Sequence, residues 1–275
     1  HIGGPMDEND AGSLLNRIVD SGITLIDTAR GYGLSEERIG RHLSWRRDDF
    51  VLSTKVGYGV DGVPDWTGPC IRAGVDRALS VMRTDHIDIA HLHTCPREGL
   101  ERGEVIEALL DCRAQGKIRY AAYSGDNDDL SFAAGTGLFD GFEASLNVCD
   151  QRVLDGLLDP ARLPAGSDAP GFIAKRPVAN APWRFAERPA GHYCEEYWLR
   201  WQAMALPDFG IPLSELALRF AAFTPGVSSC IVGSVNFDHI MENIGALSRG
   251  PLPADVRSAI LAAFRAHGDE WNSQV

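Results

Sequence analysis

The chain has 275 residues, 44% of them hydrophobic, and a formal net charge of -12. That apolar content suffices for one large domain with a substantial core, and residues 1–275 read as a single domain. The acidic balance argues against a nucleic-acid or anionic-membrane binder, and no window approaches the roughly 20 apolar residues of a membrane span.

The chain opens with HIGGPMDEND, then a helix pattern with Ala11, Leu14, Leu15, Ile18 and Val19 on one face and Gly22 as its stop. A helix of this type follows a strand in an alternating fold, so a first strand is expected upstream of the sequence given. The run TLIDTA (24–29) leads into SEERIGRHL (35–43). Ser35 is the expected N-cap there, and Glu36 and Glu37 suit the positive end of that helix. VLSTKV (51–56) precedes a Gly/Pro-rich loop and a helix over 68–82 with Ile71, Val75, Leu79 and Met82 on one stripe. IDIAHLH (87–93) precedes a helix over about 101–114, and IRYAAYS (118–124) a short polar one. FEASLN (142–147) precedes QRVLDGLL, and GFIAKRPV (171–178) a long insertion with Trp183, Trp198 and Trp201. CIVGS (230–234) precedes FDHIMENIGAL, and a helix over about 253–265 follows.

Seven strands, each leading into a helix, imply a parallel sheet covered on both faces. Polar residues recur at the C-terminal ends of the strands, as around a ring, and no GxGxxG follows a first strand. Both features favour a (β/α)8 barrel over a doubly wound sheet. The six cysteines are scattered without a CxxC pair, which fits a reducing, cytoplasmic setting.

Four polar residues mark a candidate site at three successive strand ends: Asp27, Tyr32, Lys55 and His93. Asp27 alone reads equally well as a turn residue. Lys55, inside an apolar run, needs a partner, because burying an unpaired ammonium is costly. Asp27 can be that partner, in a structural pair or a catalytic one. Tyr32, five residues past Asp27 between two glycines, favours catalysis. A phenol titrates near ~10, and a neighbouring ammonium lowers that value, which makes it a usable proton donor. His91 and His93 share one face of a strand. They could begin a metal site of a hydrolase, but no convincing further ligands accompany them. Otherwise His93 meets a substrate and His91 packs one layer lower; no metal is expected.

The run Asp27–Thr28–Ala29–Arg30–Gly31–Tyr32–Gly33–Leu34–Ser35–Glu36, with Ser53–Thr54–Lys55 and the segment Asp88 to His93, resembles the aldo-keto reductase family. Ile231–Val232–Gly233–Ser234 and Glu242–Asn243 extend the resemblance. It implies a (β/α)8 barrel that binds a nicotinamide cofactor, NADP(H) in preference to NAD(H), and reduces a small-molecule aldehyde or ketone. Tyr32 would be the proton donor, tuned by Lys55 and Asp27, with His93 orienting the carbonyl. Ser124 matches the family's carboxamide contact, whereas Gly125 replaces an asparagine and Glu143 a glutamine. Lys175–Arg176 stands where a stacking aromatic is common, and Arg176 could pair with the pyrophosphate. Gly233, Ser234 and Asn236 suit a phosphate at a helix N-terminus. His239 replaces an arginine used on the 2′-phosphate, and Glu242 and Asn243 match adenine contacts. Trp66, the loop after IDIAHLH and the 180–210 insertion are the expected pocket walls. A second function class is a nicotinamide-binding sensor or regulatory subunit with little turnover.

Overall fold

The computed structural model describes residues 2–159, 169–268 and 270–274. The chain forms two compact units, one of residues His1–Phe142 and Gly233–Met241, the other of Glu143–Val232 and Glu242–Val275. Among the described residues, no helix is long and apolar enough to cross a membrane.

The first unit begins with α1 (Glu8–Asp20), capped by Asp7, whose side chain accepts from the Asn9 and Asp10 N–H groups. Ala11, Leu14, Leu15 and Val19 are buried, the face that the periodicity marks out. Next come β1 (Leu25–Asp27), α2 (Ser35–His42), β2 (Val51–Val56), α3 (Gly68–Met82) and β3 (Ile87–His93). The helices α4 (Arg97–Glu101) and α5 (Glu104–Ala114) follow, then β4 (Ile118–Ser124) and α6 (Asn127–Gly135). The single helix expected over 101–114 is two, because Gly103, at φ 78°, turns the chain left-handed between them.

The strands pair in parallel with strict register: Asp27 lies beside Ser53, Lys55 beside His91, and His93 beside Ser124. Apart from the exposed Val51 and Tyr120, most of their apolar residues are buried on both faces, as a helix-covered parallel sheet requires. Helix α3 starts where the Thr67 hydroxyl accepts from the Cys70 N–H. It buries Ile71, Val75, Ala78 and Met82, each large apolar side chain contributing about 1.5–3 kcal/mol.

Ser35 does not cap α2. It is the first residue of the helix, and its hydroxyl accepts from the Thr28 hydroxyl at 2.7 Å. Leu34 holds the cap position without a side-chain bond. The acids Glu36 and Glu37 stand in the first turn as expected.

The second unit carries most of β5 (Gly141–Ser145), then β6 (Gly171–Lys175), α7 (Glu195–Met204), α8 (Leu213–Ala222) and β7 (Ser229–Cys230). Helix α9 (Phe237–Ser248) begins in the first unit and ends in the second, and α10 (Ala254–His267) follows. Strands β6 and β7 pair in parallel, Ile173 beside Ser229 and Ala174 beside Cys230. Both are shorter than the runs 171–178 and 230–234. Arg176 takes φ 55°, which ends β6, and the backbone after Ile231 turns toward the start of α9. The segment QRVLDGLL makes only a 3-10 turn at Arg152–Asp155. Helix α8, buried along most of its length, has no counterpart in the sequence reading. Seven strands lie among the described residues; β1 to β4 pair in chain order in the first unit, and β6 pairs with β7 in the second.

Candidate active site

Asp27 and His93 end β1 and β3, Lys55 is the last residue but one of β2, and Tyr32 stands in the turn after β1. Register brings Asp27 level with Ser53, whose hydroxyl donates to Asp27 Oδ1 at 2.7 Å. Lys55 lies two residues further on, so its side chain projects from the same face as Ser53. It is fully buried and donates to Asp27 Oδ2 and, at 3.0 Å, to the Thr28 carbonyl. The ammonium therefore has the partner that its burial demands. Its Nζ also lies 5.2 Å from the centre of the Tyr32 ring.

The turn that presents Tyr32 is tightly built. The Tyr32 N–H bonds the Ala29 carbonyl at 3.0 Å. Gly33 is left-handed at φ 59°, and a Cβ there would meet the Gly3 carbonyl oxygen at 2.4 Å. Tyr32 is half-buried and meets the His93 ring edge-on, with centroids 6.0 Å apart and planes at 90°. Acid, amine, phenol and imidazole thus converge within one unit.

The two strand histidines have different partners. His91 is buried and its Nε2 lies 3.0 Å from the Ser53 hydroxyl, one layer below His93. His93 bonds instead to a residue absent from the sequence reading: the Tyr58 hydroxyl is 2.8 Å from His93 Nδ1. The Tyr58 and His93 rings stack at 5.5 Å with planes 30° apart. Trp66 packs on Tyr58, with ring centroids 5.8 Å apart. Gly57, at φ 140°, makes this possible, since a Cβ there would sit 2.0 Å from the Trp66 ring. Burial pushes the Tyr58 phenol above its ordinary value, against the lowering effect of Lys55 and Arg30. The sequence signal for Tyr58 was its position three residues after Lys55, just past a strand end.

The residues expected on the cofactor side are dispersed, and each is described within its own unit. Ser124 ends β4, buried, and its carbonyl accepts from the Thr94 N–H at 2.6 Å. Gly125 has a packing reason, because a Cβ there would meet the Tyr123 ring at 2.6 Å. The turn before α9 is self-capped: the Ser234 hydroxyl accepts from the Asn236 N–H at 3.1 Å, and Asn236 Oδ1 accepts from the Asp238 N–H at 2.9 Å. Gly233, Asn236 and His239 are exposed.

In the second unit Glu143 is buried in β5. Arg176 donates to the Ser145 hydroxyl at 2.9 Å and to the Gln274 carbonyl. The same segment is held at Ser273, whose hydroxyl donates to Asp150 at 2.7 Å, and at Asn272, whose carbonyl accepts from Arg200 at 2.6 Å. Glu242 is exposed and Asn243 half-buried on α9.

Residues 1–131 match the model of the Aldo/keto reductase family. An aldo-keto reductase of Bacillus halodurans, in its holo form, superposes with a TM-score of 0.77 at 25% identity over 94% of this chain and 88% of that one. Residues 1–131 place that part of the chain in the aldo-keto reductase family, and the likeness in fold runs over 94% of the chain. Its fold class is the (β/α)8 barrel, and it is an oxidoreductase. Members of the aldo-keto reductase family use nicotinamide cofactors and act on small-molecule carbonyl substrates. L-galactose dehydrogenase of Arabidopsis thaliana is 26% identical over 89% of this chain and 80% of that protein. A probable voltage-gated potassium channel subunit beta of the same plant is 25% identical over 91% and 86%.

Proposed function

We propose that this oxidoreductase reduces an aldehyde or ketone to an alcohol, with Tyr32 as the proton donor. One observation carries the reading: a fully buried ammonium, paired with Asp27, lies against the ring of a half-buried phenol that meets an imidazole edge-on. The Lys55 charge favours the phenolate that remains after Tyr32 has given up its proton. Asp27 keeps Lys55 charged and fixed, and Ser53 orients the carboxylate from the other oxygen. Tyr32 and His93 are two preplaced donors for a carbonyl oxygen that gains negative charge.

When bound, a nicotinamide cofactor supplies the hydride. The turn at Gly233, Ser234 and Asn236 suits its phosphates, since it stands exposed at the start of a twelve-residue helix, and a Cβ at Gly233 would meet nothing within 4 Å. The family's ordinary usage makes the reading NADP(H) in preference to NAD(H), while His239, exposed in the first turn of α9 in place of an arginine used on the 2′-phosphate, weakens that preference. The similarity to L-galactose dehydrogenase and to D-threo-aldose 1-dehydrogenase of Pseudomonas, 27% identical over 86% of this chain and 83% of that protein, supports small polar carbonyl compounds as a first panel.

The test is purified protein with NADPH or NADH and a panel of aldehydes and ketones, followed by loss of nicotinamide absorbance. Tyr32→Phe is expected to lower kcat by about 10²–10⁴-fold. Turnover that survives the substitution overturns the assignment of the proton donor. A second reading, a cofactor-binding regulatory subunit with little turnover, draws on the likeness to the channel subunit. Tight binding of cofactor without turnover on any carbonyl would favour it.

A further inference from the structure

We infer that Tyr58 is a positioning residue for His93: its hydroxyl, held on Nδ1 and carrying the proton of that bond, fixes the neutral imidazole with its own proton on Nε2. The inference rests on the carbonyl-reductase reading above, because it assigns what that proton is for. An imidazole can present either nitrogen as donor, and which one carries the proton is set by the bond that the other makes. Here the bond to Nδ1 is 2.8 Å long and comes from a phenol. With Tyr58 donating, Nδ1 is the acceptor, and the ring proton belongs on Nε2. That nitrogen then donates to the carbonyl oxygen in every molecule of enzyme rather than in a fraction of them.

The surroundings of Tyr58 hold this arrangement. The two rings stack, so the hydroxyl and the imidazole are aligned by packing as well as by the bond. Trp66 also packs on Tyr58, with its ring tilted 63° to the phenol. Gly31 leaves the space that this hydroxyl needs, since a Cβ there would come 3.0 Å from it. The charged groups that act on the phenol are Lys55 from β2, Arg30 from the turn after β1, and Asp65 from its own loop. Burial outweighs the two cations, so Tyr58 keeps its proton across the neutral range and remains a donor. Tyr32 and Tyr58 therefore flank one imidazole with different tasks. Tyr32, beside Lys55, is set to release a proton; Tyr58, whose phenol burial pushes up, is set to keep one.

Tyr58→Phe retains the stacked ring and removes only the hydroxyl, which makes the fold a small risk. Nitrogen-15 NMR of the full chain, with His93 assigned from a His93→Asn sample, reads the protonation of both ring nitrogens without turnover. The wild type is expected to show Nδ1 bare and Nε2 protonated, and Tyr58→Phe to show a mixture of tautomers. In the assay, kcat is expected to fall about 10–100-fold, the range seen when the partner of a functional histidine is removed, with KM for the cofactor unchanged. The pH profile of kcat should shift as His93 titrates without its partner. A wild-type ring protonated on Nδ1, or a Tyr58→Phe ring with the same tautomer and pH profile as the wild type, overturns the proposal. Wild-type protein inactive on every carbonyl overturns the reductase reading alone, since the ring nitrogens still decide the role of Tyr58.

Discussion

Each unit gathers buried or half-buried charged side chains, the first at its strand ends and the second just past β6, in the loop after β5 and on α7, and the two sets are satisfied in opposite ways. In the first unit, the Lys55 ammonium is matched by the Asp27 carboxylate, and the pair lies against Tyr32 and next to Ser53. In the second, Arg176 and Arg200 donate to the backbone carbonyls of Gln274 and Asn272, and Asp150 accepts from Ser273 and from the Gln274 N–H. The first arrangement concentrates charge on a group that can change its protonation. The second ties down a length of chain. Polar residues at strand ends therefore do not by themselves mark chemistry; what their bonds end on separates the two cases.

Lys55 tests this comparison most severely. Lys55→Met is expected to lower the reduction rate by at least about 10³-fold, because phenolate stabilisation goes with the ammonium. It also leaves a carboxylate without its buried partner, a destabilisation of about 3–5 kcal/mol. The double variant Lys55→Met/Asp27→Asn removes the stranded charge. Its melting temperature should recover while its rate does not. Recovery of both would make the pair structural, like the bonds of the second unit.

Strand β3 repeats the contrast within one element. Its last residue is His93; near its start the buried Asp88 accepts from the Leu52 N–H at 2.8 Å and pairs with Arg47 at 2.5 Å and Arg119 at 3.0 Å. Burial works to raise the Asp88 carboxyl, but the Leu52 N–H and the guanidinium groups prevail and hold it below its ordinary value. A depressed folded-state value means that the stabilisation is present above the unfolded carboxyl's ~3.9 and is lost as pH falls through the folded value. Asp88→Asn should cost about 1.5–3 kcal/mol at neutral pH and flatten the acid limb of the melting curve, with kcat unchanged. A loss of kcat at constant stability would erase the division between the two ends of the strand.

The convergence of Asp27, Tyr32, Lys55 and His93 was legible because it depends on local spacing. A three-residue strand ending in Asp27, a five-residue step to Tyr32 and the two-residue period of β2 and β3 fix where these side chains emerge. Helix α3 was legible for the same reason, through its stripe of buried residues. Tyr58 was missed because it stands in a Gly-rich loop with no period, and its link to His93 spans 35 residues. Gly125 was read as a departure from a family pattern, whereas its cause is the Tyr123 ring against it. Helix α8 lies past the 180–210 insertion, in the stretch before CIVGS to which no element had been given. The bonds to residues 271–274 join segments about a hundred positions apart, and no local pattern encodes them.

Arg176 is where the comparison can be broken most informatively, since the sequence offers it to a pyrophosphate while the fold gives it to Ser145 and Gln274. Its hydrogen bonds carry charge on the donor side, so their loss should cost about 1.5–3 kcal/mol. For a chain of this size, that is a fall of several degrees in melting temperature. If Arg176 serves only to hold residues 271–274, then Arg176→Met lowers the melting temperature of the cofactor-free protein and leaves the dissociation constant of NADPH unchanged. If it exchanges the Gln274 carbonyl for phosphate when cofactor binds, the dissociation constant rises at least tenfold, and the rise shrinks at high salt because the lost contact is ionic. The second result would mean that the segment 271–274 and the cofactor compete for one guanidinium. The bonds that distinguish the second unit would then be a ground state displaced during function, and the contrast with Lys55, whose partner stays in place throughout, would become one of exchangeable against permanent pairing.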